Sequence, residues 1–237
     1  MKAGPLSKKH RVDSPDDGSK TERVYRDMRR RIRELELLPG SRLDKNQIAD
    51  AYGVSRAPVS DAIARLAAEG LVDVFPQSGS FVAPIRSAEL SDSLLIRTGL
   101  EVEVVRRAAL LRSSELIAGL EENLKAQIKA AARSDHRRMD DLDDGFHMMI
   151  ARAVQSTGAM RLLDRTRAIL DRPRFQSLPR GGRPNETVEE HRRIADAIRT
   201  GDPDLAAAAM RFHLTMVARV IDQSPIVERP TQTSSGR

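Results

Sequence analysis

Apolar residues recur at helical spacing through most of the chain, and the period changes only once. Val24, Met28, Ile32 and Leu35 share one face, which predicts a helix that stops before the turn signal Pro39-Gly40. A short second helix follows, capped by Asp44 with Gln47 three residues on, faced by Ile48, Ala49 and Tyr52, and ended by Gly53. Ser55 then caps a third helix with Pro58 in its first turn, where a missing N–H costs nothing. Its inward face is Val59, Ala62, Ile63 and Leu66, and Gly70 closes it. Beyond Gly70 the pattern alternates: Leu71 to Phe75, a turn from Pro76 to Gly79, and Ser80 to Ala83 predict a β-hairpin. Three short helices and a β-wing are expected.

From Ala88 the helical period returns and lasts almost to the end. Helices are predicted over 88–111, 114–132, 136–156, 159–171, 187–200 and 203–222, broken by Ser113, Ser134-Asp135, Gly158, a loop from Pro173 to Pro184, and Gly201-Asp202-Pro203. Six amphipathic helices with short connections predict an antiparallel bundle, since no longer repeat is visible. The fold class is therefore mainly α: a winged helix-turn-helix domain over 20–84, a helical domain over 85–222, and a short linker from Pro84 to Ala88. Residues 1–19 and 223–237 lack apolar periodicity and are expected to form a disordered arm and tail.

Composition narrows the chemistry. Of 237 residues, 40% are apolar and only 3% aromatic with no Trp, so the core must be built from Leu, Ile, Val, Ala and Met. Cysteine is absent, which excludes disulfides, thiolate metal sites, iron–sulfur clusters and a cysteine nucleophile. No apolar run approaches the ~20 residues that span a bilayer, and no signal-peptide stretch opens the chain, so a cytoplasmic protein without membrane contact is expected. Lys plus Arg exceed Asp plus Glu, 40 against 34, a modest excess that permits polyanion binding without requiring it.

The segment from Gln47 to Asp73 has what a helix-turn-helix needs. Ala49 is small where two helices cross, Gly53 permits the turn, Val54 fills the corner, and Ile63 and Leu66 anchor the third helix. That helix then presents Ser55, Arg56, Ala57, Ser60 and Asp61 outward from the end that enters the major groove in such motifs. The plainer alternative is a structural three-helix domain; the following hairpin, tipped by Gln77-Ser78-Gly79-Ser80, favours a winged DNA reader. Leu38-Pro39-Gly40-Ser41-Arg42-Leu43, Gly53-Val-Ser-Arg-Ala-Pro-Val59, Arg65-Leu66, Glu69-Gly70-Leu71-Val72 and Pro76-Gln77 with Gly79 and Phe81-Val82 resemble the GntR family of bacterial transcription regulators. The resemblance implies that Arg42, Ser55, Arg56, Ala57 and Ser60 lie at a double-stranded operator, with the wing around Gln77 and Gly79 in the minor groove. This chain has Ser60 and Gln77-Ser78 where many members carry basic residues, which implies a shallower salt dependence. Arg26, Arg29, Arg30 and Arg33 of the first helix either compensate or form a solvated face.

Three of five histidines fall on apolar faces. His147 lies one turn after Asp143 and is followed by Ile150, Ala151 and Val154; His191 leads Ile194 and Ile198; His213 precedes Met216, Val217 and Val220. Each is either a core histidine bonded to a carbonyl or one arm of a metal site between facing helices, and spacing alone does not decide. Such a four-ligand set of nitrogen and oxygen suits zinc, nickel, manganese or iron. Leu142-Asp143-Asp-Gly-Phe146-His147, Glu190-His191 to Ile198 with Gly201-Asp202, and Ala209-Met210-Arg211-Phe212-His213-Leu214 look like the ligand-binding domain of FadR-type GntR regulators. The resemblance implies a divalent metal on Asp143, His147, His191 and His213 beneath a small carboxylate effector. It also makes Arg106 a candidate effector contact; a plain ion pair with Glu103 or Asp143 is the alternative. The function expected is a homodimeric, effector-responsive regulator, a repressor in its simplest form. A metal sensor and a metal-dependent helical enzyme are the alternatives, the latter disfavoured because no general base, phosphate-cradling loop or nucleophile elbow is placed by motif.

Overall fold

The computed structural model describes residues 19–177 and 183–223, and divides into two compact units, one ending at Ser87 and the other beginning at Ala88. The expected arm and tail lie outside the described residues except for their innermost members. Ser19 belongs to the fold: its hydroxyl accepts from the backbone N–H of Glu22 and starts the first helix, α1 (Lys20–Arg33). Gln223 closes the last one.

In the first unit, α1 ends a turn earlier than its apolar spacing suggests. The cap falls at Glu34, and Leu35 takes a left-handed backbone so that the chain can turn toward Pro39. Strand β1 (Arg42–Leu43), α2 (Lys45–Tyr52) and α3 (Arg56–Ala68) follow, then β2 (Val72–Phe75) and β3 (Gly79–Val82). The Asp44 carboxylate accepts from the N–H groups of Asn46 and Gln47 at 2.8 and 3.1 Å, the cap its position implies. Gly53 ends α2 with φ +62°, a conformation that a side chain would strain. The hairpin is part of a three-stranded antiparallel sheet in the order β1-β3-β2, with Arg42 opposite Phe81 and Asp73 opposite Phe81 on the other side. A two-residue strand carries no readable alternation and exists only because β3 folds back to pair with it. Val24, Met28, Ile32, Ile48, Val59, Ala62, Ile63, Leu66, Leu71 and Val82 are buried and form the unit's core. Ile85 is buried and Arg86 pairs with Asp73 at 2.7 Å, so the residues before Ser87 are tied down.

The second unit is helical throughout its described residues: α4 (Ser87–Leu111), α5 (Ser114–Ala132), α6 (His136–Ala153), α7 (Thr157–Ser177), α8 (Arg183–Thr200) and α9 (Pro203–Asp222). Its main core includes Val105, Leu120, Phe146, Ile150, Leu163, Ile194, Ile198, Met210 and Leu214, and a smaller cluster joins Ala130, Met139, Leu142 and Val188. The expected loop from Pro173 to Pro184 is shorter than predicted. Helix α7 continues through Pro173 to Ser177 and α8 starts at Arg183, with Pro184 in its first turn. A proline inside a helix costs a hydrogen bond, but Ala168, Leu170, Asp171 and Arg172 are buried, and tertiary packing holds the helix past the breaker. The last junction follows its signals: Asp202 accepts from the N–H groups of Asp204 and Leu205, with Pro203 at the first position.

Candidate metal centre and nucleic-acid interface

Helices α6, α8 and α9 bring one site together inside the second unit. Asp143 and His147 sit one turn apart on the buried face of α6, His191 on α8 and His213 on α9. One ligand atom from each lies within 4.8 Å of the others, and all four side chains are buried. Nε2 of His147 stands 3.2 Å from Nε2 of His213, and Nε2 of His191 stands 3.4 Å from Oδ1 of Asp143. Adjacent ligands about 2.1 Å from one ion are separated by roughly 3.0 to 3.4 Å, so both contacts match neighbouring positions on a coordination sphere.

The outer nitrogens explain why the inner ones converge. Nδ1 of His147 meets the Glu101 carboxylate on α4, and Nδ1 of His213 meets Glu190 at 2.7 Å. A carboxylate only accepts, so both Nδ1 atoms carry the proton and both Nε2 atoms present lone pairs. Those lone pairs face each other at 3.2 Å. A cation between them would relieve that opposition. His191 is held flat against Phe146, with ring centroids 4.2 Å apart and planes 7° from parallel, while its Nδ1 meets Gln127 Oε1 at 2.9 Å.

Charge supports the same protonation states. Burial pushes the His147 pKa down to about 4, helped by Arg167 and Arg97 and opposed by Glu101, so the ring is neutral and able to ligate near pH 7. Burial alone would raise the Glu101 pKa, but Arg97, His147 and Arg167 together hold it well below the usual carboxylate range. Burial opposes ionisation of Glu190 too; hydrogen bonds from His213 and Arg183 outweigh it and lower its pKa.

Arg106, expected at the effector, stands apart from this cluster. It lies partly exposed on α4 and pairs with Asp204 at the start of α9, neither of the partners expected. The guanidinium that does reach the centre is Arg97, fully buried on α4, which donates to Glu101 at 2.5 Å and to Nε2 of His147 at 3.3 Å. Nine residues separate the two arginines (106 − 97), and at 100° per residue that places them on opposite faces of α4. Glu101, one turn after Arg97, shares its face. Position in the amphipathic pattern would have found both: each is a polar residue on the buried stripe of α4.

In the first unit the candidate DNA contacts fall on β1, at the start of α3 and on the wing. Arg42, Ser55, Arg56 and Ala57 are exposed, Ser60 is partly exposed, and Gln77 is exposed at the tip with a left-handed backbone. Ser55 occupies the N-cap position of α3, but its side chain makes no capping hydrogen bond. The Asp44 carboxyl is held below its usual range, first by the N–H groups of Gln47 and Asn46 and further by the charges of Arg42 and Arg56. Those two arginines therefore flank one surface. Arg42 also lies beside Gly79, where an added Cβ would come 3.5 Å from its Nε. The α1 arginines are committed elsewhere: Arg26 pairs with Glu22, Arg29 with Glu69, and Arg30 with Asp27, Glu34 and Glu36. Arg26 remains largely exposed while paired, whereas Arg29 and Arg30 are more enclosed.

Residues 20–82 match the model of the gntR family of bacterial regulatory proteins, and residues 92–216 match the FCD domain. This chain belongs to the GntR family. The regulator is 31% identical over 202 residues to the HTH-type transcriptional repressor RspR of Escherichia coli K12, covering 85% of this chain and 89% of that protein. It is 28% identical over 211 residues to the HTH-type transcriptional regulator LutR of Bacillus subtilis, covering 80% and 95%. Among solved structures, Escherichia coli McbR/YncC superposes with a TM-score of 0.78 at 19% identity, covering 87% of this chain and 98% of that one, a likeness of fold. The regulator is thus a DNA-binding transcription factor with an all-α second domain, and the enzyme alternative falls with the family assignment. No helix among the described residues is long and apolar enough to cross a membrane.

Proposed function

We propose that this regulator is a homodimeric, cytoplasmic repressor whose hold on a double-stranded operator is set by a small organic acid bound at a divalent ion in the helical domain. The observation that carries this reading is the buried meeting of four ligand atoms whose three ring nitrogens are turned inward by their outer hydrogen bonds. Asp143, His147, His191 and His213 would hold the ion; nitrogen and oxygen donors suit zinc, nickel, manganese or iron. When bound, the ion supplies a Lewis-acidic position at which a carboxylate oxygen replaces water. Arg97 would take the second carboxylate oxygen, because its buried Nη1 makes no hydrogen bond among the described residues. Large apolar side chains left exposed on α4, among them Leu95, Leu110 and Leu111, offer surface for the second copy.

At the operator, Arg56 and its neighbours Ser55, Ala57 and Ser60 read the major groove, Arg42 joins them, and Gln77 and Gly79 carry the wing. Arg56→Ala should weaken operator binding by about 1–3 kcal/mol, roughly 5- to 150-fold, without changing the melting temperature, because the side chain is exposed and in no ion pair among the described residues. Fluorescence anisotropy with a labelled operator measures it; full affinity in the folded variant would remove Arg56 from the reading surface.

The function as a whole is tested by thermal-shift and operator-binding assays with small mono- and dicarboxylates, with and without chelator. An effector that stabilises only the metal-loaded protein and releases DNA is the expected result, and linkage requires the operator to weaken effector binding by the same factor. Stabilisation that persists in metal-stripped, folded protein would place the effector away from the ion.

A further inference from the structure

Of the three inward-turned histidines, two are backed by carboxylates and one is not. His191 is backed by Gln127, an amide that is fully buried on the inner face of α5. An amide offers both a donor and an acceptor, so by itself it would not choose a tautomer for the ring. Its neighbours choose for it. Gln127 Nε2 donates to Oδ1 of Asn123 at 2.6 Å, and Asn123 Nδ2 donates to the backbone carbonyl of Leu142 at 3.0 Å. A carbonyl can only accept, so Asn123 must turn its NH2 toward α6 and its oxygen toward Gln127. Gln127 must then turn its NH2 toward Asn123 and its oxygen toward His191, and the ring is left with the proton on Nδ1 and the lone pair on Nε2. The direction of every bond follows from one main-chain oxygen.

The relay joins the ligand-bearing helices. Gly145 lies opposite Asn123, where an added Cβ would come 3.4 Å from Asn123 Nδ2, so the amide packs closely on α6. The relay's far end is Leu142, the residue before the ligand Asp143, and its near end is the ligand His191. Nε2 of His191 and Oδ1 of Asp143 lie 3.4 Å apart. Helix α5, which supplies no ligand, therefore spans the two ligands on α6 and α8.

We infer that Asn123 and Gln127 are positioning residues of the metal centre: a one-way hydrogen-bond relay from the Leu142 carbonyl that fixes the tautomer of His191 and aims its Nε2 at the ion. This rests on the metal reading above. The role differs from that of an ordinary buried polar pair in what replaces it. If Gln127 merely fills space, leucine of similar volume is tolerated and glutamate, a buried charge, is the damaging change. If Gln127 positions His191, the order reverses, because glutamate still accepts from Nδ1–H and leucine does not.

The test is competition of zinc between the full-length protein and a chromophoric chelator. Gln127→Leu should bind zinc about 10- to 100-fold more weakly, the usual cost of losing an outer-shell partner. Gln127→Glu keeps the acceptor for Nδ1–H but sets a carboxylate against Asn123 Oδ1, so it should bind zinc more tightly than Gln127→Leu and less tightly than the wild type, and Asn123→Ala, on a half-exposed residue, should also fall between. Should Gln127→Glu fail to fold, the wild type still decides: long-range 1H–15N spectra of histidine-labelled, metal-free protein should show His191 protonated at Nδ1. Zinc affinity of Gln127→Leu within twofold of wild type, or an Nε2-protonated His191, would overturn the relay. A wild type that binds no zinc, manganese, nickel or iron would instead overturn the metal centre itself.

Discussion

Stripped of metal by a chelator, the full-length regulator should melt about 5–16 °C below the loaded protein, and His213→Ala should melt low whether or not metal is added. An ion that binds only the folded state stabilises it by mass action, about 2.7–4.1 kcal/mol at 100 to 1,000 times its Kd. In a chain of this length each kcal/mol moves the melting temperature by roughly 2–4 °C. His213 is the informative position because its ring bridges two parts of the site: Nδ1 is held by Glu190, itself held by Arg183 at 2.7 Å, and Nε2 opposes His147. Without metal the opposing lone pairs have only the Arg97 guanidinium beside the His147 nitrogen, so the loaded state is favoured from both directions. Operator affinity of the stripped protein should persist while its response to the organic acid disappears. Calorimetry with elemental analysis checks the first claim; equal melting with and without metal, and no retained ion, would return the histidines to a packing role.

Arg97→Met should cost about 3–5 kcal/mol, a fall of roughly 6–20 °C, making it the most damaging single change expected near the site. The guanidinium is fully buried and is the closest positive charge to Glu101, which is itself buried. Removing it leaves an anion in the interior answered only by the His147 ring and the more distant charge of Arg167. Glu101→Gln in the same background should then recover part of the loss, with a coupling of about 0.5–3 kcal/mol in a double-mutant cycle. Strictly additive losses would mean that the two residues do not act as a unit. Arg106→Ala on the opposite, exposed face of α4 should leave the melting temperature close to wild type, since its partner Asp204 is itself largely solvated.

Local signals accounted for most of the scaffold. The caps at Asp44 and Asp202, the turn at Gly53 and the change of period after Gly70 each depend on residues within a few positions of one another, and each stands where the pattern predicts. Elements made by distant residues were not legible. The pairing of Arg42–Leu43 with β3 requires the wing to return, and the passage of α7 through Pro173 requires buried neighbours that outweigh a local breaker.

The same division holds at the histidine cluster. Local spacing alone puts Asp143 and His147 on one helix face, since four residues make about one turn, and His191 and His213 on apolar stripes. That these faces meet was decided only by the packing of α6, α8 and α9. The hydrogen bonds that orient the rings join α4 to α6 and α5 to α8 across 46 and 64 residues of chain, and nothing in the local sequence encodes such a distance. The choice of Arg97 over Arg106 depended on which face of α4 turns inward, and that phase is set by burial against the rest of the bundle, where an uncompensated charge is too costly to leave alone.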